Sequence, residues 1–360
     1  MSLLRAIVLS LALLPGVAAA QALRIDPVVT GLDEPWALAF LPDGRFLVTE
    51  RDGRLTLFPA GGGAGQAVAG VPRVAVTGQG GLLDVMVPRD FAQSRRVWLS
   101  YAAPARGGAA TATGYGRLSP DGSRIEGFRE VFKGPGTRGG QHFGSRLVEG
   151  RDGTIYLTTG DRGDGDRAQD LTRPEGKVLA FAPDGTPRTA PGYAGQEVLP
   201  GLFSHGHRNI QGATLDGQGR LWTVEHGARG GDELNQPAGA QNHGWPVISY
   251  GRNYSGTRIG EGTEKPGMQQ PVHYWDPSIA PSGLVIHSGR MFPGWRGHVL
   301  TGSLNSDYIA RLDPARGHAE TRIAGDETQR VRDVREAADG SVWFLSVGNG
   351  AVYRITSAGG

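Results

Sequence analysis

An all-β fold, a single six-bladed β-propeller, is predicted by three features of the sequence. The chain of 360 residues contains 59 glycines and 23 prolines, the two poorest helix formers, which leaves little room for long helices. A unit recurs along it: a turn of Asp-Gly type, then an alternating β run, then a second turn. These units run end to end, with no tract of Pro, Ser or charge that would mark a linker between domains. With 38% hydrophobic and 20% charged residues, the chain has enough apolar surface for a core and is not of disordered composition.

The first twenty residues are set apart from this pattern. Met1 to Arg5 is weakly positive, Ala6–Leu14 is apolar, Pro15-Gly16 breaks the run and Ala18-Ala19-Ala20 supplies small residues. That is the layout of a cleaved signal peptide (residues 1–20), with an apolar stretch too short to span a bilayer. Cleavage is expected after Ala20, with Ala22 as the alternative. Residues 21–360 are then one propeller domain, periplasmic or secreted, with no later stretch long and apolar enough to be a membrane span.

Six core strands follow in order. They lie in Leu41-Pro-Asp-Gly-Arg-Phe-Leu-Val-Thr-Glu50, Arg96-Val-Trp-Leu-Ser-Tyr101, Glu149-Gly-Arg-Asp-Gly-Thr-Ile-Tyr-Leu-Thr158 and Asp216-Gly-Gln-Gly-Arg-Leu-Trp-Thr-Val-Glu225. The last two are Gly297-His-Val-Leu-Thr-Gly302 and Ala338-Asp-Gly-Ser-Val-Trp-Phe-Leu-Ser346. Asp-Gly accommodates the positive φ of tight hairpin turns, and aromatic and β-branched residues suit a pleated, half-buried surface. The units exceed the ~40–50 residues of common propeller repeats, so long inserted loops are expected. The segment Leu23–Val29 is expected to close the last blade.

Composition also narrows function. Lys and Arg number 37 against 35 Asp and Glu, a net charge of +2, and no basic block occurs, so nucleic-acid binding is unsupported. The absence of cysteine excludes disulfides, thiolate metal sites and a cysteine nucleophile. No Walker loop or dinucleotide fingerprint precedes a helix. Chemistry is left to the loops. His142, in Gly139-Gly-Gln-His-Phe-Gly-Ser-Arg146, is a candidate general base. In Ser204-His-Gly-His-Arg-Asn209, His205 and His207 would share a face on a strand and could begin a metal site, with Glu225 and His226 as further ligands. Arg208 and Asn209 together offer a forked cation and an amide to a carbonyl or carboxylate oxygen. The acidic glycine loop from Glu225 to Asn235 suits a hard, oxygen-liganded cation. Arg330 and Arg332 are expected on one face of a strand, opposite Arg335, as a receptor for a polyanion. Each fragment alone is equally compatible with an ordinary structural loop.

Taken together these fragments resemble the soluble glucose/sorbosone dehydrogenase family that depends on pyrroloquinoline quinone (PQQ), most closely its bacterial aldose sugar dehydrogenase branch. The resemblance runs from Gly31-Leu-Asp-Glu-Pro-Trp-Ala-Leu38 to the last repeat. It is carried by Gly78-Gln-Gly-Gly-Leu-Leu83, the His142 segment, Ala168-Gln-Asp-Leu171 before Gly176-Lys-Val-Leu179, and Gly206-His-Arg-Asn-Ile-Gln-Gly212. Glu225-His-Gly, Gly231-Asp-Glu233, Asn242-His-Gly-Trp-Pro246 and Arg330-Val-Arg332 complete it. The family's fold is itself a six-bladed propeller. The resemblance implies oxidation of an aldose sugar at C1 to a lactone, with hydride passing to PQQ, His142 as base and Arg208 steadying the oxyanion. Gln79, Gln169, Asn209, Tyr254, Ser303, Leu304 and Asn305 are implied as further cofactor contacts, with Arg330 and Arg332 on its carboxylates. A calcium ion (Ca2+) is implied on the carbonyls of Gly227 and Ala228, and a second near Glu233 and the backbone of His243. The implied partners are the sugar and a soluble electron acceptor, in a monomer or homodimer.

Several positions depart from the family pattern. His243 stands where tyrosine is usual, Ala228 where proline is common, and Gln141 where one branch has aspartate before the base. Asn305 replaces an expected lysine and removes one positive charge. Two other readings of the propeller are a calcium-dependent hydrolase of the lactonase type, which needs carboxylates and Asn around one central metal, and a non-catalytic binding propeller.

Overall fold

A computed structural model describes residues 22–358; the segment 1–20, expected to be a signal peptide, lies outside the described residues. Twenty-four strands form six four-stranded antiparallel sheets arranged as a β-propeller. Among the described residues helix is confined to Phe91–Ser94 and a few 3-10 turns. Among the described residues no helix is long and apolar enough to cross a membrane. The six innermost strands, in blade order, are Pro35–Phe40, Leu82–Met86, Leu147–Glu149, Ile210–Leu215, Pro281–Ile286 and Val331–Glu336. Each recurring run recognised in the sequence is the second strand of a blade, for example Phe46–Glu50 in blade 1 and Val342–Ser346 in blade 6.

Blade 6 is closed by the opposite end of the chain, as the sequence predicted. Leu23–Val29 is its outermost strand, antiparallel to Ala351–Ser357, with Leu23 opposite Ser357 and Val29 opposite Val352. The blade 1–blade 6 junction is sealed by aromatic packing. Fully buried Phe46 stacks on Phe58 with centroids 5.3 Å apart, and Trp343 meets its edge at 5.3 Å. Such pairs contribute about 0.5–1.5 kcal/mol each beyond burial.

One side chain ties the inner ring together. Arg146, buried at the entry to blade 3, reaches Asp84 of blade 2 (3.5 Å) and Asp333 of blade 6 (3.0 Å). It also donates to the carbonyls of Gln211 (2.6 Å) and Arg332 (2.8 Å), and its guanidinium lies 4.1 Å from the Trp36 ring. Arg335 pairs with the same two aspartates. This knot of buried charge fills the middle of the central channel.

The inner strands also explain how the fold aims side chains. In blades 1, 2, 4, 5 and 6 the register between the first and second strands shifts at the upper end of the inner strand. Such β-bulges turn side chains off the regular alternation, typically beside active sites.

Candidate active site

The residues that precede the inner strands converge at one end of the channel. Gln79 stands before blade 2, His142 before blade 3, Arg208 before blade 4 and Arg330 before blade 6. The loops between second and third strands open on the same face and bring in Gly227 and Ala228 from blade 4, and Leu304 and Asn305 from blade 5. Together they enclose a deep chamber of about 250 Å³ and an outer one of about 550 Å³. Gln79, His226, Ala280 and Asn305 line both, so the two form one continuous well.

His142 faces the outer chamber, held from behind. Its Nδ1 lies 2.6 Å from Oδ1 of Asp161, a buried carboxylate that also accepts from the Gly163 amide (2.7 Å) and from Trp245 Nε1 (2.8 Å). Burial pushes the Asp161 carboxyl up. The hydrogen bond and charge of His142, the Gly163 amide and the charge of Arg208 outweigh it and bring the group below its ordinary range. An ionised Asp161 accepts a proton-bearing Nδ1, which leaves Nε2 as the basic nitrogen. The His142 backbone is left-handed (φ 52°), an uncommon state for a residue with a side chain and one that concentrates at functional sites. It is fixed by a hydrogen bond from its amide to Gln79 Oε1 (2.8 Å). Gly160 permits the close approach behind it, since a Cβ there would sit 2.1 Å from the His142 carbonyl.

The well is rich in cation. Arg208 is buried, donates to the His226 carbonyl (3.1 Å) and lies 5.4 Å from the Trp245 ring. Arg332 stands in the deep chamber with Gln211 Oε1 at 2.7 Å and no ion pair among the described residues. Burial, then the charges of Arg146 and Arg330, push its pKa down to about 9. A cation so placed favours an anionic ligand. Arg330 and Arg332 do share the chamber, but not by simple strand alternation. Arg330 precedes the strand in a left-handed conformation (φ 49°) and the register slips between Val331 and Asp333, so a bulge turns both inward. Arg335 is occupied by Asp333 and Asp84.

The opposite wall is shaped by a carboxylate that the sequence reading left without a role. Asp232 is buried and accepts four hydrogen bonds: from the amides of Gly227, Ile279 and Ala280 (each 2.8 Å) and from Ser278 Oγ (2.6 Å). It thereby fixes the Gly227–Ala228 turn against the 278–280 segment. Asn305 Nδ2 donates to the Ser278 carbonyl (3.0 Å) on the same wall.

Behind the well lies a second polar cluster. Asn235 Nδ2 bridges Glu225 Oε1 and Glu233 Oε2, 3.0 Å from each. Burial pushes the two carboxyls up to about 7 for Glu225 and about 8 for Glu233, the latter also repelled by Glu225. His207 contacts Glu225 through Nδ1 (2.9 Å) and stacks on His243 at 4.5 Å. Asn235 Oδ1 and both ring nitrogens of His243 have no hydrogen-bond partner among the described residues.

Gln79, His142, Arg208, Gly227, Ala228, Tyr254, Leu304, Asn305, Arg330 and Arg332 therefore line one well. Other expected site residues turn elsewhere. Gln169 exchanges hydrogen bonds with Asn242 (2.8 and 3.1 Å) and donates to the Trp245 carbonyl (2.7 Å). Asn209 Oδ1 accepts from the backbone amide of Gly144 and from Gln211 Nε2. Ser303 Oγ donates to the Ile279 carbonyl (2.7 Å). Glu233 and His243 belong to the cluster behind the well. The suggested pairing of His205 with His207 does not form, because His205 Nδ1 is engaged by Tyr193 Oη (2.7 Å) while His207 faces Glu225. Nor does His226 complete it; its Nε2 contacts the Pro281 carbonyl (3.0 Å). Among the described residues no three His, Asp or Glu side chains are gathered to hold a metal.

Residues 32–354 match the glucose/sorbosone dehydrogenase family. The chain is 40% identical over 338 residues to the aldose sugar dehydrogenase YliI of Escherichia coli K12, covering 91% of each chain. It superposes on the apo crystal structure of the soluble E. coli aldose sugar dehydrogenase with a TM-score of 0.86 at 38% identity, covering 93% of this chain and 100% of that one. Against the PQQ-bound aldose sugar dehydrogenase of Streptomyces coelicolor the TM-score is 0.78 at 27% identity, over 94% and 99% of the two chains.

Proposed function

The chain belongs to the glucose/sorbosone dehydrogenase family and is a dehydrogenase, and from that premise we propose that it oxidises aldose sugars at C1 to lactones with PQQ and calcium. The observation that carries this reading is a histidine backed by a buried carboxylate, facing a well whose floor holds an arginine without a counter-ion. Such a floor fits a polyanionic quinone. PQQ, when bound, supplies a two-electron acceptor for the C1 hydride. Arg330 and Arg332 would hold its carboxylates, and Gln79, Tyr254, Leu304 and Asn305 its faces and edges. Gln169, Asn209 and Ser303 would act on it through the loops they brace.

His142 Nε2 takes the proton of the anomeric hydroxyl, while Asp161 keeps Nδ1 protonated and the ring oriented. Arg208 faces the oxygen on which negative charge develops. Carbonyl oxygens of Gly227 and Ala228, presented by Asp232, suit a calcium ion. A second calcium is assigned to Glu233 and the His243 backbone. Two close carboxylates, Glu225 buried and Glu233 half-buried, with an unpartnered amide oxygen beside them form a donor set that suits a hard cation. The hydrolase reading loses support because, among the described residues, no three His, Asp or Glu side chains are gathered around one metal position. The domain is proposed to act outside the cytoplasm after removal of residues 1–20.

Three outcomes test this reading. Sugar oxidation with a dye acceptor is expected to require added PQQ and calcium, with nicotinamide cofactors inert. Full activity in chelator without quinone would refute it. Arg208→Ala is expected to lower kcat about tenfold to hundredfold with little change in KM, since a charge-assisted hydrogen bond contributes ~1.5–3 kcal/mol and acts here mainly in the transition state. A change confined to KM would place Arg208 in ground-state binding instead. Asn305→Lys is expected to tighten PQQ binding about tenfold to hundredfold, more at low salt. This is read by titrating quinone into apoprotein at fixed calcium. Equal binding by both forms would mean that Arg229, on the same wall of the outer chamber, already supplies the charge.

A further inference from the structure

We propose that the projecting hairpin of blade 2 is the docking surface for an acidic electron-transfer protein that reoxidises the enzyme. The inference rests on the dehydrogenase reading above, because only an enzyme that collects electrons from its substrate must pass them on.

Three observations carry it. The first is shape. Strands Arg96–Ala105 and Gly108–Leu118 are far longer than their counterparts in the other blades. The last residue paired with the inner strand is Tyr101, so the hairpin continues for four residues more. That overhang is ~13 Å at about 3.3 Å per residue, and it lies on the face where the well opens. The second is charge. Arg106 is at the tip, Lys133 donates to the Pro104 carbonyl (2.9 Å), and a Cβ at Gly108 would come 3.0 Å from the Arg138 amide. All three cations are exposed and none forms an ion pair among the described residues. Residues 67–83, 96–120 and 131–148 contain no Asp or Glu, and the flanking Glu130 is directed to Tyr101 Oη (2.8 Å). Val76, 53% exposed, is one of four large apolar side chains left exposed among the described residues. It adds an apolar spot to the basic surface.

The third observation is continuity with the site. The hairpin is laced to the loop before blade 3 by reciprocal hydrogen bonds between Ala109 and Thr137 (3.1 and 3.0 Å), and Ala75 is bonded to the Ala102 carbonyl (2.7 Å). Those two loops carry His142 and Gln79, joined in turn by Gln79 N to the Gly140 carbonyl (2.7 Å) and His142 N to Gln79 Oε1 (2.8 Å). A partner seated on the hairpin therefore borders the well. A small anion would need no such platform, since Arg208, Arg330 and Arg332 would draw it into the well itself. The stoichiometry is one sugar, losing two electrons and two protons as it becomes a lactone, against two oxidised one-electron acceptors, each gaining one electron; both protons pass to water.

The test uses the holoenzyme with two protein acceptors of opposite charge, the acidic copper protein plastocyanin and the basic haem protein cytochrome c, both oxidised. Plastocyanin is expected to be reduced at least about tenfold faster at low salt, with the advantage fading as ionic strength rises. The charge-reversal variant R106E/K133E/R138E is expected to lose that advantage while sugar still bleaches the bound quinone at the normal rate. In the apoprotein, line broadening of 15N-labelled plastocyanin is expected with wild type and absent with the variant, a readout independent of turnover. Equal rates with both acceptors, or broadening that persists in the variant, would overturn the proposal. So would an equal loss with ferricyanide, which is small enough to enter the well. Failure of sugar to bleach the quinone would count against the dehydrogenase reading alone, because the apoprotein titration still decides the surface.

Discussion

His142→Ala is expected to retain the fold and quinone binding but to lower turnover about 10²–10⁴-fold, the usual contribution of a positioned base. The expectation of an intact fold follows from how this residue is held. Its left-handed backbone is fixed through its amide by Gln79 and by contact with Gly160, not through the imidazole. Alanine inherits both restraints. The side chain removed is partly exposed to the well and, among the described residues, anchors only to Asp161. Stopped-flow measurement of quinone reduction by sugar checks it, with circular dichroism as the control for folding. A variant within about twofold of wild type would make His142 a structural residue and leave the base unassigned.

The second large effect is on stability. Arg146→Ala leaves Asp84 and Asp333 buried with one counter-charge, Arg335, where there were two. It also strips donors from two carbonyls on different blades. Breaking a buried pair by removing one partner typically costs ~3–5 kcal/mol, because the remaining charge is left uncompensated. A large fall in the urea midpoint is expected. Because the penalty is stranded charge, adding Asp84→Asn alone to Arg146→Met should recover part of the loss, since Arg335 then stays paired with Asp333. If the double variant is no better than Arg146→Met alone, packing around Trp36 rather than charge is what Arg146 supplies.

These two residues also mark what could be read in advance. Blades were legible because a tight turn and an alternating run are local events. Asp43-Gly44, Asp152-Gly153 and Asp339-Gly340 announce their hairpins within a few residues. His142 and Arg208 stood out as polar side chains among glycines, and family resemblance supplied their roles. Asp161 and Trp245 gave no such signal. Asp161 meets His142 across 19 residues of chain and Trp245 meets Asp161 across 84, and nothing local distinguishes Asp161 from the other acids of its loop. Asp232 was likewise visible only as half of an Asp-Glu pair. The inward turn of Arg330 and Arg332 depends on a bulge and a left-handed residue, neither of which strand alternation can anticipate. Resemblance also transfers a position more securely than a side-chain direction. Gln169, Asn209 and Ser303 occupy the expected loops, yet their polar atoms are used to brace those loops.

The knot at Arg146 has a consequence for traffic. By stopping the channel midway it makes the well blind-ended, with a single doorway. On the proposed function, sugar and product would share that opening. An acceptor protein resting on the blade 2 overhang would shadow the entrance that the sugar needs. On that proposal, sugar exchange and partner docking would compete for the same mouth.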